Sequence, residues 1–143
     1  MISKTCGYAI RGMVLLSLEQ NQEKKIGIQE IAEELSVPQH FMGKILQDLA
    51  KRGLIGSVKG PHGGFYCINR TAGLQLIEVI EAVDGLGILK KCFLGRDECS
   101  ASNPCPMHDD FDGCRTAIFK TFASKTISDL VASVDLGESV LMG

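Results

Sequence analysis

Tryptophan is absent from the 143 residues and aromatics make up only 6%, so any core has to be built mainly from Leu, Ile, Val and Ala. No apolar run approaches the roughly 18 residues that cross a bilayer, which argues against a membrane partner. The first apolar stretch is broken by Arg11 and no small-residue cleavage site follows it, so a secretory signal is not expected. Charged residues are slightly scarce at 22%, yet with 45% hydrophobic content wholesale disorder is excluded. The length suits one full domain, or a small domain with an appendage. These absences describe a soluble chain, expected to be cytoplasmic.

What is present is unevenly distributed. Residues 1–70 hold nine Lys and Arg against six Asp and Glu, a net of +3, whereas residues 71–143 hold six against eleven, a net of −5. A basic front half fits a nucleic-acid face. Of the six cysteines, Cys6 and Cys67 stand alone, while Cys92, Cys99, Cys105 and Cys114 fall close together. In a cytosolic chain that clustering favours metal or redox chemistry over a disulfide framework.

The front half reads as a helix-turn-helix followed by a wing. Ser3 is placed to cap a helix running to about Gln20, with Ala9, Ile10, Met13 and Leu16 as its apolar stripe. Ile28, Ile31, Ala32 and Leu35 recur at helical spacing and define a second, two-turn helix. Ser36, with Gln39 three residues on, reads as the capping box of a third helix, and Pro38 suits its first turn. Met42, Ile45, Leu46 and Leu49 point inward there with Phe41 beside them, leaving Gln39, His40, Gly43, Lys44 and Gln47 outward. Alone, that face could be the solvated side of a helical bundle. Two β-prone runs then flank Lys59-Gly60-Pro61-His62-Gly63-Gly64, which makes a hairpin directly after the helix pair. The arrangement is a winged helix, and its chemistry is DNA recognition: amides for base edges, Lys59 and His62 on a glycine-rich tip for the backbone or a groove. The tip lacks the strand–loop–helix setting and Lys-Ser/Thr of a nucleotide-binding loop.

The back half opens with a short helix, Leu76 to Val83, stopped at Asp84-Gly85. The loop beyond it contains Cys92, Cys99, Cys105 and His108, spaced C-x6-C-x5-C-x2-H. Three thiolates and an imidazole are a full ligand set. The gaps are wider than the C-x2–4-C knuckle usual in structural zinc sites and suit an iron–sulfur cluster better. Zinc and unligated cysteines remain alternatives on spacing alone. Gly95, Asn103, Pro104 and Pro106 mark an exposed loop, where three free thiols would be a liability.

The sequence resembles the IscR/NsrR family of winged-helix transcription regulators from about residue 2 to about residue 131. The resemblance is carried by Ser3-Lys4 through Tyr8-Ala9-Ile10-Arg11, by Ile31-Ala32, by Phe41-Met42 with Lys44-Ile45-Leu46, and by Leu49 to Gly53-Leu54-Ile55. The wing Gly60-Pro61-His62-Gly63-Gly64-Phe65 and the stretch Glu78 to Gly85 add to it. It implies a [2Fe–2S] cluster with Cys92, Cys99 and Cys105 as ligands and, as in the IscR-like branch, His108 as the fourth. The nitric-oxide-sensing branch places a carboxylate before the Tyr of the first helix; Gly7 stands there instead. A cluster with one imidazole ligand is expected to be easily lost and pH-sensitive.

Asp109, Asp110 and Asp112 open a last long helix, whose stripe Phe111, Cys114, Ile118 and Phe122 runs to about Lys125. Because the N-terminal domain is complete without it, the stripe reads as a homodimer contact, which the resemblance also implies. Thr126 to Leu130 reads as a brief final turn before a frayed tail. The expected architecture is mainly α with a small β-hairpin. Residues 1–85 form the winged helix-turn-helix domain, 86–108 the cluster loop, and 109–143 the dimerisation helix and tail. The expected function is operator binding controlled by the [2Fe–2S] cluster, with Gln39, His40, Lys44, Gln47, Lys59 and His62 toward DNA. The alternatives are the same fold using its cysteines for zinc or thiol oxidation, and a cluster-bearing electron carrier. With no nucleotide motif, no Ser/His/Asp set and no paired carboxylates in a cleft, an enzyme is not expected.

Overall fold

The computed structural model of the protein describes residues 1–142. Six helices and one antiparallel hairpin follow one another: α1 (Lys4–Ser17), α2 (Ile28–Glu34), α3 (Gln39–Lys51), β1 (Gly56–Val58), β2 (Gly64–Tyr66), α4 (Leu76–Val83), α5 (His108–Ser124) and α6 (Ile127–Asp135). Among the described residues no helix is long and apolar enough to cross a membrane.

α1 starts where the sequence places it: the backbone N–H of Cys6 donates to the Ser3 hydroxyl at 3.0 Å. Beyond its first turns the helix is apolar all round, and Gly12 through Leu18 are buried without a break. It is the central helix, packed against α3, α4 and α6. Gly12 allows the closest approach, because a Cβ there would lie 2.6 Å from Met42 Cε and 3.2 Å from Leu46 Cδ2. α2 packs on α3 with Ile31, Ala32 and Leu35 inward.

The turn between α2 and α3 differs from the sequence reading. Ser36 adopts a left-handed conformation (φ 52°) that swings the chain out of α2, so it makes no capping box. Pro38, not Ser36, precedes the first residue of α3, and no side chain caps that end. Phe41 also departs: it is 57% exposed on the flank of α3 while Met42, Ile45, Leu46 and Leu49 fill the core.

The wing pairs Gly56 with Tyr66, Ser57 with Phe65 and Val58 with Gly64. Ile26, just before α2, adds a third rung, exchanging two 2.9 Å backbone hydrogen bonds with Phe65. Gly64 (φ 159°) lies extended against this rung; a Cβ there would sit 2.7 Å from the Ile26 carbonyl oxygen. The hairpin is thereby anchored at its base to the start of the helix pair.

α4 ends at Asp84, whose carboxylate accepts from the Ser3 backbone N–H at 2.8 Å and from the Ser3 hydroxyl, tying the end of α4 to the start of α1. The brief final turn expected at Thr126 to Leu130 is instead the start of α6, a nine-residue helix that runs on to Asp135, with Thr126 as its N-cap and Ile127 fully buried against the α1 core. Two backbone bonds, Leu76 N–H to the Lys125 carbonyl (2.8 Å) and Ile127 N–H to the Leu74 carbonyl (2.9 Å), clamp the α5–α6 junction to the entry of α4. A local turn signal could not reveal this, because the burial comes from residues more than a hundred positions away.

Candidate functional site

Two regions carry chemistry: the outer face of α3 with the wing, and the cysteine loop with the start of α5. On α3 the four apolar positions leave a continuous polar face, and at 1.5 Å per residue its thirteen residues make a rod of about 20 Å. Gln39, Gln47 and Lys59 line one open groove of about 910 Å³ between α3 and the wing, with Gln29 at its α2 side and Lys51 and Ser57 at its edges. His40 and Lys44, with Gln39 and Gln47, border an adjoining depression of about 650 Å³ in which Gly43 leaves room. Five of the six residues expected to face DNA therefore share one surface. His62 is exposed at the wing tip and borders neither cavity. Asp48 borders neither cavity and is paired with Arg52 at 2.9 Å.

Gln29, Lys51 and Ser57 are absent from the sequence reading. Lys51 had a visible signal, standing seven residues after Lys44 and four after Gln47 on one helical face. Gln29 had none, because its place depends on the approach of the wing to α2.

In the cysteine loop the four candidate ligands lie as two pairs. Cys99 Sγ is 3.1 Å from Nδ1 of His108, the first residue of α5. Cys92 and Cys105 are both buried, and Cys105 lies near enough to Cys92 to act on its thiol. The Cys92 thiol is held below its ordinary range mainly by the Leu94 backbone N–H, helped by the Arg96 N–H, the Cys105 thiol and the Arg96 charge, against the opposing effect of burial. Arg96 also closes the loop across its base by donating to the Asn103 carbonyl at 2.9 Å. The Phe93 ring of the loop lies 5.1 Å from the Phe111 ring of α5. Among the described residues, no three His, Cys, Asp or Glu side chains converge where one ion could be held.

One further side chain enters this site. Arg115, two turns along α5 from His108, donates from Nη2 to Cys99 Sγ at 3.1 Å, and its Nε is buried without an acceptor. The spacing of seven from His108 is legible in the sequence; the reach across to Cys99 is not.

The remaining cysteines stand apart. Cys6 is fully buried in α1, and burial, reinforced by the Asp84 charge, pushes its thiol up to about 12. Cys67 lies just past β2, half-buried, and accepts from the Ser17 hydroxyl at 3.3 Å. Cys114 is exposed on α5.

Comparison with known proteins places both regions in context. Residues 2–133 match the Rrf2 family, described as an iron-dependent transcriptional regulator. An HTH-type transcriptional regulator of Aquifex aeolicus is 32% identical over 133 residues, covering 92% of this chain and 91% of the relative. The regulator IscR of Xenorhabdus nematophila is 30% identical, covering 93% and 74%. Among solved structures, IscR of T. potens superposes with a TM-score of 0.71 at 20% identity over 98% of this chain and 92% of that one. CymR, the global cysteine regulator of B. subtilis, superposes with a TM-score of 0.73 at 18% identity over 92% and 96%.

Proposed function

The chain belongs to the Rrf2 family of transcriptional regulators, and on that premise we propose that it is a homodimeric operator-binding protein whose DNA binding is governed by a [2Fe–2S] cluster on Cys92, Cys99, Cys105 and His108. The observation that carries the DNA half is the single groove shared by Gln39, Gln47 and Lys59. Amide side chains can pair bidentately with adenine, and a lysine at a glycine-rich tip supplies the salt-dependent phosphate contact. In this reading residues 1–85 bind DNA, residues 86–108 hold the cluster, and residues 109–143 associate two chains.

The donor set fits the cluster. Its two irons each need two protein ligands, and the four donors stand as Cys92 with Cys105 and Cys99 with His108, rather than as one tetrahedral group around a single ion. When bound, the cluster supplies a one-electron redox centre whose loss or oxidation changes the charge held by the loop. The chain's own residues carry the rest. His108 begins α5, α5 packs on α4, α4 on α1, and α1 on α3, so the loop and the DNA face are joined through four packed helices. No residue of α5 is buried in the single chain, and Phe119 on it is 45% exposed, as a helix awaiting a second copy would be.

The deciding experiment is purification without oxygen, followed by iron, acid-labile sulfide and zinc per chain. About two irons and two sulfides, lost on Cys99→Ala or His108→Ala, is the expected result. Duplexes selected from a random pool should then bind cluster-loaded and cluster-free protein with different affinities at matched salt; equal affinities for every duplex would sink the coupling. The nearness of two buried thiols, Cys92 and Cys105, favours one second reading, a thiol switch on the same fold. It would be supported by protein that carries no sulfide but forms a Cys92–Cys105 disulfide under mild oxidation.

A further inference from the structure

Arg115 is out of balance with its surroundings. Its side chain is only 18% exposed, and burying a guanidinium is costly unless an anion and acceptors meet it. Its carboxylate partner, Asp112, is 3.6 Å away and itself 56% exposed. Its charge lies 5.5 Å from the centre of the Phe111 ring, a weak substitute. Nε has no acceptor at all. What the guanidinium does touch is Cys99 Sγ, at the same 3.1 Å as His108 Nδ1, so two side chains from one face of α5 converge on one sulfur. A small cavity of about 210 Å³, bordered by Leu89, Lys90, Glu98, Cys99 and Arg115, opens beside that sulfur. A positive charge, an orphaned N–H and free space next to one thiol are what a negatively charged sulfur-bound group would complete.

We propose that Arg115 is a positioning residue of the metal centre: it holds Cys99 toward His108 and offsets the negative charge added when the bound cluster takes up one electron. The inference rests on the cluster reading above. Reduction by one electron from an external donor, dithionite in the titration below, adds one negative charge to the irons and their sulfur ligands, and no bond need form or break. A fixed cation donating a hydrogen bond to one of those sulfurs stabilises the reduced form and raises the potential.

The test is a redox titration of anaerobically prepared protein, followed by visible absorbance, for wild type, Arg115→Gln and Arg115→Lys, with far-UV circular dichroism as the check on folding. Arg115→Gln is expected to shift the reduced-to-oxidised ratio about tenfold toward the oxidised form at a given poise, about 59 mV for a one-electron step. Arg115→Lys, which keeps the charge and loses the planar fork, should shift it less. A purely structural role would alter cluster content or the melting point and leave the potential in place. An Arg115→Gln protein with a full cluster and the wild-type potential overturns the inference alone. Wild-type protein without iron and sulfide overturns the cluster reading and the inference with it. Where Arg115→Gln folds but loads no cluster, the lysine variant decides: a lowered potential supports the role, and the wild-type value overturns it.

Discussion

The two halves of the molecule are stabilised by different means. Among the described residues, all but three of the buried hydrophobics precede Gly85, and the exceptions are Cys92, Cys105 and Ile127. The front half thus closes its own core around α1, and it then borrows Ile127 from α6. The segment from Leu86 to Ser124 buries almost nothing: Ile88, Phe93, Leu94 and Phe119 stay exposed, and α5 has no buried residue. Its order within the single chain rests on a few hydrogen bonds, among them Arg96 to the Asn103 carbonyl and Arg115 to Cys99 Sγ. The α3 face is thus carried on a tightly packed scaffold that includes Ile127, whereas the loop and the start of α5 are held by few buried contacts and are the part most able to open locally.

The comparison is broken most severely inside the core. Leu46 is fully buried beneath Gly12, and Leu46→Ala should cost about 2–5 kcal/mol, read as a lowered urea midpoint. The DNA face answers differently. Gln47→Ala should leave that midpoint unchanged, weaken the selected duplex by about 1–3 kcal/mol and relax preference at one base pair. Lys59→Ala should instead weaken all sequences alike and flatten the salt dependence by about one unit of slope. If Gln47→Ala and Lys59→Ala behaved identically across sequences, the groove would be a phosphate track rather than a reading surface.

What the sequence disclosed follows the same division. The Ser3 cap, the stripe of α3, the hairpin and the stop after α4 are local patterns, each set by residues within a few positions of one another. They were legible for that reason. Ser36 misled because an ordinary capping signal was overridden by a left-handed turn within the four-residue connection between packed helices. Phe41 misled because an aromatic beside an apolar stripe reads as core, whereas the core takes only Met42, Ile45, Leu46 and Leu49 from α3. In the loop the four ligand candidates were visible as residue types at a spacing. Their pairing, and the entry of Arg115, depend on how α5 folds back over Cys99, which no local pattern encodes.

A smaller effect separates the halves by concentration. Phe119→Ala removes an exposed ring, so the single chain should unfold within about 0.5 kcal/mol of wild type. If α5 is the contact between copies, the same change should weaken the dimer by about 1–2 kcal/mol, which sedimentation over a dilution series would register. Unchanged association would move the contact off this helix.

The smallest effect tests whether α6 belongs to the front core as a folded element. Thr126 accepts at its hydroxyl from the Asp129 backbone N–H at 3.2 Å, while the Asp129 carboxylate accepts from the Thr126 N–H at 2.9 Å and from its hydroxyl at 3.1 Å. Thr126→Ala should cost about 1 kcal/mol at neutral pH. The Thr126 N–H and hydroxyl hold the Asp129 carboxyl below its ordinary value of 3.8. A group depressed on folding contributes stability that is present above its unfolded value and is lost as pH falls through the folded one. The gap between wild type and Thr126→Ala should therefore be full at pH 7 and narrow as pH drops below about 4, near the free carboxylate value. Urea midpoints measured at both ends of that range decide the matter. Offset but parallel curves would mean that the Thr126 hydroxyl acts only by accepting from the Asp129 N–H, and coincident curves that Ile127 alone fixes α6 to α1, with the capping exchange contributing nothing.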